Sequence, residues 1–224
     1  MRIGFLHTVP ALAPRFDADL ASAVPDATAV HVVDAELLAT AIRSGVDAHV
    51  DAAVAEHIAH LASEGADAVL VTCSSIGESV EKAAAAARVP VVRVDTRMAA
   101  DAIETAGAGG RIVVLATLEA TLGPTGRLLE RAAADAAEPP SVRAHVVPDA
   151  AAARSAGDVE RHDRLVAEAV REAAAEADVI VLAQASMAAA ADEAHVDVPV
   201  LTSPASALRA VLDAAEGAGS AVPR

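Results

Sequence analysis

The sequence predicts an α/β protein of two pseudo-symmetric, Rossmann-like halves, each with a parallel four-stranded sheet flanked by helices. Three observations carry that expectation. Short, near-continuous runs of Val, Leu and Ile alternate with longer Ala-rich amphipathic stretches, the pattern of parallel strands covered on both faces. The pattern repeats itself: "ADAVLVTCSSIGES" at Ala66–Ser79 is answered by "ADVIVLAQASMAAA" at Ala177–Ala190. The repeat also keeps its spacing. Asp67 and Asp178 lie 111 residues apart, while Arg2 and Arg111, and Pro90 and Pro199, lie 109 apart.

In chain order, the first half is expected to place strands at "RIGFLHT" (Arg2–Thr8), "ATAVHVVD" (Ala27–Asp34), "DAVLVTC" (Asp67–Cys73) and "PVVRVD" (Pro90–Asp95). The second half answers with "RIVVLAT" (Arg111–Thr117), "VRAHVVP" (Val142–Pro148), "DVIVLAQ" (Asp178–Gln184) and "PVLTS" (Pro199–Ser203). Helical patterns fill the gaps, most clearly over Asp47–Gly65 and Asp158–Ala177. The expected division is 1–97 for the first half, with a helix at about 204–217 packing back on it, and 98–203 for the second. Residues 218–224 are expected to fray. The glycine-rich "ETAGAGGR" (Glu104–Arg111) reads as the hinge. Its glycines precede a strand instead of joining strand to helix, so it is no dinucleotide fingerprint, and no cofactor is expected.

Composition narrows the function. With two Phe and no Trp or Tyr in 224 residues, a site here cannot stack a base or sugar on aromatic rings. Lys82 is the sole lysine, and GC-rich codon usage accounts for the excess of Ala, Arg and Asp, with salt adaptation as the other reading. A formal charge of −15 repels phosphate backbones, which argues against nucleic-acid binding. It leaves room for a small anion, because salt screens distant charges beyond about 8 Å. No run approaches about 20 apolar residues, and the N-terminus lacks a long apolar core, so a cytoplasmic protein without membrane partners is expected. One cysteine allows no internal disulfide.

Ligands of open α/β sheets bind beyond the carboxyl ends of the strands. Cys73 and Gln184 close the third strand of each half, so the repeat is expected to describe two walls of one cleft. Beyond Thr72 and Cys73, a polar turn leads into a helix whose free N–H groups can seat a carboxylate. The same helix end favours a thiolate, and Ser74 and Ser75 add hydroxyl donors. The plainer reading of Cys73 is a small buried hydrophobe.

"GADAVLVTCSS", together with "IVVLATLEATL" and "ADVIVLAQASMA", resembles the aspartate/glutamate/hydantoin racemase superfamily, including its arylmalonate decarboxylase and maleate isomerase branches. The resemblance covers nearly the whole chain. It implies a cofactor-independent enzyme acting on a small carboxylate, in which two thiols flank the substrate's α-carbon and exchange its proton from opposite faces. This sequence has Gln184, within Leu182–Ser186, where the family carries the second cysteine. An amide exchanges no proton near neutral pH, but it donates two hydrogen bonds and accepts through its carbonyl. The catalytic pair implied is therefore Cys73 with Gln184 as an oxyanion holder.

The same resemblance implies substrate contacts at Thr117 and Thr121. N-capping of the following helix is the competing role for Thr117. His7 and Thr8 occupy the equivalent loop of the first half, and Ser186 mirrors Ser75. Three functions stay open: racemase- or isomerase-like chemistry through Cys73, single-cysteine decarboxylase or lyase chemistry on a small di-acid, and carboxylate binding without catalysis. His49, His57 and His60 share a helix, but with no carboxylate partner expected at a strand end they read as a solvated face, and no metal is expected. His162 and Asp163, adjacent on a helix, are not expected to face each other. Nothing in the sequence fixes an oligomeric state, although the family often forms dimers.

Overall fold

A computed structural model describes residues 1–220. The chain divides into two compact units, Met1–Val94 joined by the segment from Pro204 onward, and Asp95–Ser203.

The first unit runs β1 (Arg2–His7), α1 (Leu12–Ala23), β2 (Thr28–Val33), α2 (Ala35–Ser44), α3 (Ala48–Ser63), β3 (Ala68–Val71), a 3₁₀ turn (Ser74–Ile76), α4 (Gly77–Ala84) and β4 (Val91–Arg93). Its sheet is parallel throughout, in the order β2-β1-β3-β4. Asp34 and Asp47 start α2 and α3 by accepting the free N–H groups of Glu36 and of His49 and Val50. All of β3 is buried. Val69 and Val71 pack with Leu6 against Val54, Ile58 and Leu61 of α3.

The second unit runs α5 (Thr96–Ala106), β5 (Arg111–Ala116), α6 (Glu119–Ala132), β6 (Ser141–Val146), α7 (Ala150–Ser155), α8 (Val159–Ala173), β7 (Val179–Leu182), a 3₁₀ turn (Ala185–Met187), α9 (Ala188–Ala194) and β8 (Val200–Thr202). Its order, β6-β5-β7-β8, repeats the first sheet strand for strand, again all parallel. Successive residues of β5 serve opposite faces, as pleating requires. Ile112 and Val114 pack with Met98 and Ala102 of α5, whereas Val113 and Leu115 pack with Val166 and Val170 of α8. The edge strand β6 departs from the expected burial, with Ser141–His145 exposed.

The repeat extends to single hydrogen bonds. Asp67 Oδ2 accepts the N–H of Arg2 at 2.7 Å, and Asp178 Oδ2 accepts the N–H of Arg111 at 2.9 Å. Each aspartate thereby ties the start of its third strand to the start of its first.

Two expectations need correction. Glu104–Arg111 is not the hinge, since the units change at Val94/Asp95 and again at Ser203/Pro204. The segment instead turns α5 into β5 inside the second unit, with Gly107 at φ 68° and Gly109 at φ 67°, conformations that glycine adopts without strain. The expected frayed tail is helical as far as Ser220, within α10 (Ser203–Ser220). Residues 221–224 lie outside the described residues.

Candidate functional site

In the first unit, β1 and β3 pair as far as Leu6↔Val71, and one further step of that register sets His7 beside Thr72. The Thr72 N–H donates to Leu6 O at 2.9 Å. Cys73 then turns at φ −127°, ψ 112° into the 3₁₀ turn and α4. His7, Thr8, Thr72, Ser74 and Ser75 are all buried. Cys73 is 7% exposed and packs with Leu6, Val71, Ile76 and Val80, so part of the plainer reading holds: the thiol has aliphatic neighbours. Helix α4, which carries this turn, is braced to α3 at Asp51. Ser79 Oγ donates to one oxygen of that carboxylate at 2.6 Å and Lys82 Nζ to the other at 2.7 Å. Both bonds hold the Asp51 pKa below its ordinary value.

His7 belongs to a hydrogen-bonded series that crosses three elements. Its Nδ1 lies 2.8 Å from Thr72 Oγ1 and its Nε2 lies 2.9 Å from His31 Nδ1. His31 Nε2 in turn lies 3.0 Å from Asp17 Oδ1. Phe5 stacks on both imidazoles, with centroids 5.8 Å from His7 and 5.0 Å from His31. Burial, with the nearby His31 charge, lowers the His7 pKa from 6.5 to about 4, against an opposing pull from Asp17. His7, expected from the sequence in the loop that ends β1, is a fully buried ring.

Arg93, on β4, was not anticipated from the sequence. It is 3% exposed, with Nη1 2.6 Å from Glu81 Oε1. Its guanidinium lies where a side chain on Gly77 would stand, so the glycine that opens α4 makes room for a buried cation next to the Cys73 turn. The signal was the arginine itself, an interruption in the apolar run "VPVVRVD".

In the second unit, Gln184 occupies the place Cys73 holds in the first. Its φ of −127° is the same and its ψ is 133°, and it likewise leads a 3₁₀ turn. The side chain is anchored by Thr117, whose N–H donates to Gln184 Oε1 at 2.6 Å and whose hydroxyl donates to the same atom at 3.0 Å. A backbone N–H can only donate, so the acceptor is the amide oxygen and the amide nitrogen is left with its two N–H groups to offer. Thr117 does not cap α6; the N-cap is Leu118, with no side-chain hydrogen bond. Thr121 is fully buried, and Ser186 is partly exposed, with its carbonyl 3.4 Å from Arg154 Nη1.

Two of the other histidine expectations are overturned. His57 does have a carboxylate partner at a strand end, with Nε2 2.9 Å from Asp34 Oδ2, just beyond β2. Burial works against ionisation of Asp34, but the His57 hydrogen bond and the N–H groups of Glu36 and Leu37 outweigh it and lower the pKa. His162 and Asp163 do meet: Nδ1 lies 2.7 Å from Oδ1, although both sit in the first turns of α8. Adjacent side chains diverge on a helix, but here both are buried and curl toward one another, and His162 Nε2 has no hydrogen-bond partner among the described residues. Among the described residues no group of three or more His, Cys, Asp or Glu could hold a metal ion, and no helix is long and apolar enough to cross a membrane. A groove of about 590 Å³ between α3 and α4, lined by Ala55, Ala59 and Lys82 among others, contains none of the expected site residues.

Comparison with known proteins returns one family description, Asp/Glu/Hydantoin racemase, matching residues 8–211. No curated protein sequence matches the chain. Among solved structures, the aspartate racemase of Picrophilus torridus is similar, with a TM-score of 0.71 at 15% identity over 96% of this chain and 94% of that one. The allantoin racemase of Klebsiella pneumoniae gives 0.66 at 19% identity over 95% and 86%. A glycine-to-cysteine mutant of arylmalonate decarboxylase with associated sulfate gives 0.63 at 19% identity over 97% and 94%. At these identities the likeness is one of fold.

Proposed function

The chain belongs to the Asp/Glu/Hydantoin racemase family, and we propose that it is a cofactor-independent enzyme of racemase or isomerase type, acting on a small carboxylate through the thiolate of Cys73. The observation that carries this reading is the fixed orientation of Gln184. With its carbonyl committed to Thr117, the amide presents donors alone, which suits an oxyanion or carboxylate and not a proton. Cys73 is then the only thiol in the chain, and the proton chemistry falls to it. The N–H groups of the turn and the hydroxyls of Ser74, Ser75, Thr8, Thr121 and Ser186 are the proposed carboxylate contacts, with Thr72, Thr117 and His7 as the further candidates.

The same amide favours a second reading. A single working acid suits loss of carbon dioxide from a small di-acid followed by protonation on one face, since no second proton carrier is then needed.

Incubation with candidate carboxylic acids in deuterated water separates the alternatives when α-deuterium uptake, optical rotation and carbon dioxide are followed together. Uptake with inversion supports the racemase reading, and carbon dioxide release supports the decarboxylase. Uptake in neither, combined with iodoacetamide labelling of Cys73 that rises only near the ordinary thiol pKa of about 8.5, would leave a carboxylate binder without catalysis.

A further inference from the structure

We infer that the chain associates with a second copy of itself through β6, whose outer edge pairs antiparallel with the same strand of the other copy and joins the two four-stranded sheets into one. β6 ends its sheet, with β5 as its one neighbour. Ser141 N–H donates to Gly110 O and Val147 N–H to Ala116 O, both at 2.8 Å. Backbone groups alternate along a strand, so Ser141, Arg143, His145 and Val147 turn theirs toward β5. The N–H and C=O groups of Val142, Ala144 and Val146 point away from the sheet. Among the described residues nothing pairs with them. The repeat does not share this feature: Ala29–Val32 of β2 are half-buried, whereas Ser141–His145 of β6 are all exposed. An open edge of this kind is a template for another strand.

The edge complements itself in one register. A two-fold axis at Ala144 sets Ala144 opposite its own copy, and Val142 opposite Val146 of the second copy, all as hydrogen-bonded pairs. Every outward N–H then meets an outward C=O. An axis at Arg143 or His145 pairs only two of the three outward residues, and at Arg143 it also sets two like charges opposite one another, which is unfavourable.

Both faces of the strand suit the same axis. Val142, Ala144 and Val146 lie in register with Ile112, Val114 and Ala116 and share their face, so one apolar row runs beside another. Arg143 and His145 lie on the opposite face, in register with Val113 and Leu115. The axis sets Arg143 opposite the second copy's His145, which borders a hollow of about 230 Å³ together with Glu172 and Glu176. The one arginine of the strand thus faces two carboxylates of the other copy. Its ion pair within the chain, to Glu176 at 2.8 Å, leaves the Arg143 side chain 69% exposed, and such a pair is readily exchanged.

Sedimentation velocity of the full chain reads the association, in salt that screens the −15 charge of each copy beyond about 8 Å. A monomer–dimer equilibrium in the micromolar range is expected, as a contact of one strand pair implies. Amide hydrogen exchange locates it. The N–H groups of Val142, Ala144 and Val146 should slow as concentration rises, whereas those of Arg143 and His145, bonded to β5, should be slow throughout. Ala144→Pro removes a donor that β6 does not use within its own sheet, so the thermal midpoint should hold while the dimer is lost. Arg143→Glu should weaken association by about tenfold, and adding Glu172→Arg should restore it. A monomer at every concentration overturns the proposal, leaving the edge guarded by its charge or open to a foreign strand. A dimer that leaves exchange at Val142, Ala144 and Val146 unchanged, or that survives Ala144→Pro, overturns it as well.

Discussion

Thr117 holds Gln184 Oε1 with two donors, its N–H at 2.6 Å and its hydroxyl at 3.0 Å, across 67 residues of sequence. The pair sets the polarity at the end of the second unit's third strand. Gln184→Ala leaves both Thr117 donors unpaired and partly buried, which is expected to destabilise the protein by about 1–2 kcal/mol. Gln184→Glu keeps an acceptor and should stay near wild type. Urea midpoints at constant slope provide the comparison, and an alanine variant as stable as wild type would show that the contact contributes nothing.

Cys73→Ser is expected to lower α-deuterium exchange by about 10²-fold or more, the range of a lost acid–base group. Gln184→Cys would supply the second thiol of the family pattern and should convert exchange into inversion, seen as loss of optical rotation. Inversion already complete in the wild type would mean that another group serves as the second acid.

His7 predicts a pH dependence with a definite sign. Its folded pKa of about 4 lies below the unfolded value of 6.5, so between those limits the unfolded chain binds a proton that the folded chain does not. Stability is therefore full above about pH 6.5, falls as pH drops to about 4, and levels off there. The amplitude is on the order of 3 kcal/mol at most, from 1.36 kcal/mol per pKa unit. Asp34 and Asp51, whose pKa values are lowered, lose their contributions only below the usual carboxylate range. The difference between wild type and His7→Gln unfolding from pH 7 to 4.5 isolates the histidine. Parallel curves for the two proteins would refute the assignment.

Gly77 and Gly126 are both helical, yet alanine should act oppositely at the two. A Cβ on Gly77 meets the guanidinium of Arg93, which is buried and paired with Glu81. Moving it should cost about 1–3 kcal/mol. A Cβ on Gly126 in α6 meets nothing within 4 Å, so Gly126→Ala should gain up to about 1 kcal/mol of helix propensity. Thermal midpoints of the two variants should move in opposite directions.

Both four-stranded sheets were legible in the amino-acid order, because strand and helix periodicity is local and a duplicated unit repeats its local signals. Spacing matched Arg2 to Arg111 and Asp67 to Asp178 as repeat equivalents, whereas the bonds of Arg2 to Asp67 and of Arg111 to Asp178 are contacts that the structure supplies. The expected strands Asp67–Cys73 and Asp178–Gln184 each proved longer than the observed ones, whose last residues are Val71 and Leu182. The shortfall falls where the chain leaves the ladder for a 3₁₀ turn, which hydropathy does not register. The correspondence of Cys73 with Gln184 was nevertheless readable, since both residues follow the same pattern.

What only the tertiary structure decided was partnership. His7 reaches His31 and Thr72 because parallel registers place Phe5 opposite His31 and Leu6 opposite Val71, and Asp17 joins them from a helix. Arg93 over Gly77, His57 on Asp34 and Thr117 on Gln184 likewise bring together residues that no spacing rule connects. A hydrogen bond depends on distances of tenths of an ångström between elements, whereas hydrophobic periodicity records only which side of each element faces inward. The sequence by itself determined the duplicated α/β architecture and the two special positions, Cys73 and Gln184. The packing of its strands and helices decided which donors and acceptors surround each of them.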